Sequence, residues 1–138
     1  MILASCEKEG GEQKHKVSRH QSDESHNAGQ NCISCHKEGG GGEGWFTAAA
    51  TVYDSSFAQV YPNATIKLYS GPNGTGTLKH VIEVDAKGNF YTTEALDFGT
   101  GLYPAVEGAT GTNYMSFSIT TGECASCHGV STNKIWAR

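Results

Sequence analysis

The chain has 138 residues with 10 Lys and Arg against 14 Asp and Glu, a formal charge of −4. That length suits one domain, and an acidic balance without a basic run excludes a nucleic-acid surface, which needs clustered cations. Only 37% of the residues are hydrophobic and 18 are glycine, so something besides an aliphatic core is expected to stabilise the fold; no apolar run is long enough for a membrane-spanning helix.

Residues 1–31 read as a start segment and a polar tether. Leu3-Ala4-Ser5-Cys6 resembles the bacterial lipobox, in which the cysteine is lipidated, so Cys6 is the lipidation candidate and a lipid anchor the only expected membrane contact. Residues 7–31 hold a single large aliphatic side chain, Val17, among Glu, Lys, Gln, Ser, His and Asp. Such a composition predicts a disordered or extended tail that, as a coil, reaches roughly 25–30 Å.

The segment 32–138 is expected to be the functional domain. It opens with Cys32-Ile-Ser-Cys35-His36 and closes with a second frame of the same form, Cys124-Ala-Ser-Cys127-His128. Between them the pattern is β-rich. Strands are expected over 45–53, over 64–69 with Ala64, Ile66 and Leu68 inward, over 77–84, over 90–93 and over 114–120, with Gly- and Asn-rich turns at 71–76 and 85–89. Short strands without helical periodicity predict a mainly β fold, a small antiparallel β-sandwich over 45–121 flanked by the two Cys-x-x-Cys-His segments.

A Cys-x-x-Cys-His run is the attachment signature of c-type haem. Two thiols at this spacing reach the two vinyl groups on one porphyrin edge, and the next residue lies under the iron as its proximal ligand. Cys32, Cys35, Cys124 and Cys127 are thus the expected covalent attachment points for two haems, and His36 and His128 the proximal ligands. A zinc site is the competing reading, but paired Cys-x-x-Cys knuckles normally lie about 15–20 residues apart, whereas residues 36–123 separate these two pairs. A redox dithiol would call for a βαβ context that the pattern lacks. Covalent porphyrins would also supply the missing apolar mass, with Trp45, Phe46, Ile135 and Trp136 as covering groups.

The distal ligands come from the remaining histidines, His15, His20, His26 and His80, or from Met115. His26 ranks first because it lies six residues before the first frame. His80 follows, on the apolar face of a strand with Leu78, Ile82 and Val84, where a metal bond would satisfy a buried imidazole. His20 and Met115 come next; His20 sits in a polar segment suited to solvent, and Met115 alternates with Phe117 and Ile119 as a packing residue would. Two strong ligands on each iron leave no open position, so electron transfer is expected and enzymatic activity is not; peroxidase-type chemistry would need an iron without a sixth ligand.

Two resemblances add to this. The stretches Thr51-Val-Tyr-Asp54, Pro62-Asn-Ala-Thr-Ile-Lys-Leu68 and Asp85-Ala-Lys-Gly-Asn-Phe-Tyr91 are similar to carboxypeptidase-regulatory-like domains, prealbumin-like sandwiches of secreted bacterial proteins. The arrangement as a whole, two Cys-x-x-Cys-His frames around a sandwich, resembles small di-haem c-type cytochromes of bacterial cell envelopes. The resemblance implies electron transfer in the envelope, at the outer membrane or outside the cell, with other redox proteins or extracellular acceptors as partners. Antiparallel strands are expected to bring the haem pair together at one end of the sandwich. Because His15, His20 and His26 lie on a long polar segment, a distal ligand donated to a neighbouring subunit would link haems into a homo-oligomer or filament. The alternatives from other classes are a polysaccharide- or protein-binding sandwich with haems as redox sensors, signalled by Tyr53, Tyr61, Tyr69 and Tyr103 grouped on one face, and a Cys/His zinc protein.

Overall fold

The computed structural model describes residues 15–130 and 132–138. Cys6 lies outside them. Seven strands are described: β1 Ala48–Tyr53, β2 Thr65–Tyr69, β3 Leu78–Glu83, β4 Asn89–Thr92, β5 Tyr103–Glu107, β6 Thr112–Tyr114 and β7 Ile135–Trp136. They form a three-stranded sheet in the order β4-β1-β7 and a four-stranded sheet in the order β3-β2-β5-β6. All pairings are antiparallel except β1 with β7, which is parallel and joins the two ends of the domain. The fold is mainly β, a small sandwich, as the strand pattern predicts.

Period-two alternation builds the core. Ala64, Ile66 and Leu68 face inward together with Ile82, Val84 and Val106 from the larger sheet, and Ala48, Ala50, Val52 and Phe90 meet them from the smaller one. Strand β1 is buried on both faces: Ala49 and Thr51, which point away from that core, are also covered. Its three consecutive alanines keep both faces low, so that chain can pack on each.

What covers the outer face of β1 is the segment expected to be a tether. From residue 15 to residue 31 the chain is pinned across the smaller sheet. The Ser18 N–H donates to the Tyr91 carbonyl at 2.9 Å, Thr93 N–H to Lys16 carbonyl at 2.9 Å, Ala86 N–H to Ser22 carbonyl at 2.8 Å and Gly29 N–H to Thr51 Oγ1 at 2.8 Å. Buried Asn89 ties the layers together, accepting from Thr51 Oγ1 at 2.6 Å and donating to Ser25 Oγ at 2.9 Å. These anchors are main-chain groups and short polar side chains, so a hydropathy reading does not reveal them.

The strand expected over 114–120 also differs. β6 ends at Tyr114, Ile119 makes only an isolated bridge to Leu102, and Phe117 is 74% exposed. β5 escaped the pattern because Pro104, lacking an N–H, sits at its second position, and two-residue β7 is too short for any periodicity to register. Among the described residues no helix is long and apolar enough to cross a membrane.

Candidate functional site

Both Cys-x-x-Cys-His frames fold into the same local structure. Each begins with a 3-10 turn, Cys32–Ser34 and Cys124–Ser126. In the first, the Cys35 N–H donates to the Cys32 carbonyl at 3.2 Å and the His36 N–H to the same carbonyl at 2.9 Å; in the second, Cys127 and His128 repeat this on the Cys124 carbonyl at 3.2 and 2.9 Å. Five residues fold on one acceptor and present two sulfurs and an imidazole together.

The imidazoles are oriented in the same way. His36 Nδ1 lies 2.8 Å from the Glu43 carbonyl and 3.2 Å from that of Gly44, and His128 Nδ1 lies 2.7 Å from the Asn133 carbonyl. A carbonyl can only accept, so each Nδ1 is the donor, which in the neutral ring places the lone pair on Nε2. Metal-binding histidines are commonly fixed by this kind of outer hydrogen bond. Around His36 the glycine run 39–42 closes tightly: a Cβ on Gly42 would stand 2.7 Å from the ring, and one on Gly40 would collide with the Cys35 carbonyl. Phe46 stacks on the same ring with centroids 4.2 Å apart.

Each frame opens on its own cavity. The first, of about 320 Å³, is lined by Cys32, Cys35, His36 and His26, with Phe46 and Tyr91 as aromatic walls. Its two histidine rings lie with centroids 6.0 Å apart. The second, of about 520 Å³, opens between the two sheets, where Cys124, Cys127, His128 and Met115 meet the inward faces of Ile66, Leu68 and Ile82. The cavities lie on opposite faces of the smaller sheet, because Asn89 and Tyr91 line the first while Phe90, between them in β4, lines the second. Both frames pack against β1, one from each side, rather than side by side at one pole of the sandwich.

The expected site residues divide accordingly. His26 faces the first cavity with His36, and Met115 lines the second with His128. His20 lines neither: its Nε2 lies 3.0 Å from the Ala64 carbonyl and its Nδ1 3.2 Å from Glu83, so it fastens the tail to the larger sheet. His15 lies at the rim of the first cavity, 3.4 Å from Glu94. His80 stands opposite Leu68 in the β2–β3 register; its Nε2 is buried and makes no hydrogen bond among the described residues, yet it lines neither cavity. Of the expected covering groups, Phe46 lines the first cavity and Ile135 and Trp136 the second.

Burial disfavours the thiolate at two of the frame cysteines. Burial pushes the Cys32 thiol up, and against the core it pushes Cys124 up to about 11. Cys35 is disulfide-bonded, whereas Cys32, Cys124 and Cys127 are in no disulfide; attachment of a porphyrin at Cys35 requires that bond to be reduced first. Among the described residues no three His, Cys, Asp or Glu side chains group as a metal cage.

These residues fit a thioether-linked porphyrin: each cavity carries two sulfurs, an imidazole with a free Nε2 and aromatic walls, in a volume within the roughly 300–1,000 Å³ of ordinary cofactor pockets. The sequence reading overlooked three contributors, Tyr91, Asn89 and the glycine clamp on His36. Only the glycine run was visible in advance, as four consecutive residues without side chains beside a ligating frame. No family model, curated protein or solved structure matches the chain.

Proposed function

We propose that this chain is a di-haem c-type cytochrome that transfers electrons in the bacterial cell envelope. The observation that carries the reading is the duplicated geometry: two frames, far apart in sequence, each fix their histidine through Nδ1 to a main-chain carbonyl and turn two cysteines and a free Nε2 into a cavity. In this reading Cys32 and Cys35 hold one haem and Cys124 and Cys127 the other, with His36 and His128 as proximal ligands. Bound haem supplies one-electron chemistry between ferric and ferrous iron.

The chain's own residues orient, cover and separate. The Glu43, Gly44 and Asn133 carbonyls hold the two imidazole rings. Phe46 and Tyr91 shield the first site, with ring centroids 5.0 Å apart, and core side chains shield the second. One sheet divides the sites, each opening on its own face. This division also weighs against zinc, since the two cysteine pairs cannot pool into one four-ligand site from opposite faces of a sheet. Against a binding module, Tyr53 and Tyr61 are engaged within the fold, Tyr53 under Lys134 at 4.3 Å and Tyr61 accepting from the Ala109 N–H at 2.7 Å. Only Tyr69 and Tyr103 pair on the sheet.

The placement in the envelope follows from chemistry, because bacterial haem attachment works on translocated chains. The test is a pyridine haemochrome spectrum with intact mass on protein made in a host with c-type maturation. Two haems per chain are expected, and one in Cys124→Ala/Cys127→Ala. An unmodified mass from that host would overturn the proposal.

A further inference from the structure

We infer that the two haem positions carry unlike axial pairs, His36 with His26 at the first and His128 with the Met115 thioether at the second, so that the second is reduced at the higher potential. The inference rests on the di-haem reading. Its ground is the distribution of donors. The first cavity gathers imidazoles, with His26 and His36 centroids 6.0 Å apart. In the second, His128 is the single lining imidazole among the described residues, and Met115 is the single thioether. Met115 is fixed there by its main chain, whose N–H donates to the Pro104 carbonyl at 2.9 Å.

Two competing nitrogen donors near the second cavity are occupied or displaced. Lys134 lines it, but its Nζ donates to the Phe57 carbonyl at 3.2 Å and sits over the Tyr53 ring. His80 lies outside the lining, while its register partner Leu68 and Ile82, two residues further along β3, reach the cavity.

Two effects then act in the same direction. A thioether in place of an imidazole raises the reduction potential. The surroundings add to it: Ile66, Leu68, Ile82 and Phe98 around the second site disfavour the extra positive charge of ferric iron, whereas Arg19, Glu24, Asn27 and Asn89 give the first a polar wall.

The experiment uses the full chain with its haems counted by pyridine haemochrome, then near-infrared magnetic circular dichroism of the ferric protein and a spectroelectrochemical titration. One bis-imidazole signal and one sulfur-to-iron charge-transfer band are expected, with two resolved waves. Met115→Leu should abolish the sulfur band and lower the upper wave alone. Met115→His should keep both haems low-spin, lose the sulfur band and also lower that wave, which separates lost ligation from lost folding. Two bis-imidazole haems in the parent protein, or conversion of the second site to high spin by His80→Ala, would overturn the inference while leaving the di-haem reading intact. So would a sulfur band that survives Met115→Leu. A haem count of zero would bring down the reading itself, and the inference with it.

Discussion

Phe90 and Tyr91 are neighbours in β4, yet Phe90 lines the cavity of the second Cys-x-x-Cys-His frame and Tyr91 that of the first. Strand alternation sends consecutive side chains to opposite faces, so a single strand is the wall between two sites. Phe90 also belongs to the sandwich core, 1% exposed, whereas Tyr91 stacks on Phe46.

The two substitutions should therefore separate. Phe90→Ala is expected to cost about 3–5 kcal/mol of stability and to disturb the second site. Tyr91→Ala should leave the second site unchanged and open the first to solvent. Urea unfolding, with the reduction wave of each site recorded separately, checks both; equal shifts in the two waves for either variant would contradict the division.

Gly42 is the closest point of the clamp on His36. A methyl group there would meet the ring at 2.7 Å, so Gly42→Ala should displace the imidazole or the loop, at about 1–3 kcal/mol for an overpacked site. In the di-haem reading, weakened proximal ligation at the first site, seen as a partial high-spin spectrum with the covalent haem count still two, is the expected result. Gly39→Ala is a poor control because Gly39 has φ +81; Glu38→Ala, exposed on the same loop, should leave the spectrum as it is.

Asn89 acts at one remove from His26. Its carboxamide joins Thr51 on β1 to Ser25 on the tail, next to His26. Asn89→Ala leaves the buried Thr51 hydroxyl without its acceptor and should cost about 1–3 kcal/mol. In the di-haem reading it should also release His26 from the iron, giving a first site that binds added imidazole or cyanide more readily than the parent. An unchanged ligand affinity would show that His26 is positioned without Asn89.

Burial raises Cys32 and, to about 11, Cys124. Between the ordinary thiol value near 9 and the raised values, the unfolded chain has lost protons that the folded chain keeps. Unfolded chain thus binds fewer protons, and stability falls as pH rises through this window, by roughly 1.4 kcal/mol per pH unit for each fully shifted thiol. Chain made without haem attachment should show falling urea midpoints from pH 8 to pH 10.5, and thioether-linked protein should lose this contribution to the slope because its sulfurs no longer titrate. Equal slopes in the two forms would count against attachment at these cysteines.

The tail shows where composition misleads. Residues 15–31 read as a tether because they lack apolar side chains, but they are held by main-chain hydrogen bonds to β4 and by Ser18, Ser25 and Asn89, none of which a hydropathy pattern registers. His20 is part of that anchoring and His26 is held over its own domain's cavity, which favours ligation within one chain over donation to a neighbour.

By itself the sequence determined the strand alternation of 64–69, the turns at 71–76 and 85–89, and the two frames, because short-range spacing alone makes Cys-x-x-Cys-His fold on one carbonyl and puts Ile66 and Leu68 on one face. It could not say which donor meets which cavity, since that depends on strands far apart in the chain. Only tertiary packing placed the frames on opposite faces of β1, brought His26 and His36 together, put Met115 beside His128 and left His80 outside both cavities. The physical reason is that a side chain's face follows from the parity of its position within a strand, whereas the neighbours on that face follow from sheet order and register, set by contacts summed over the whole domain.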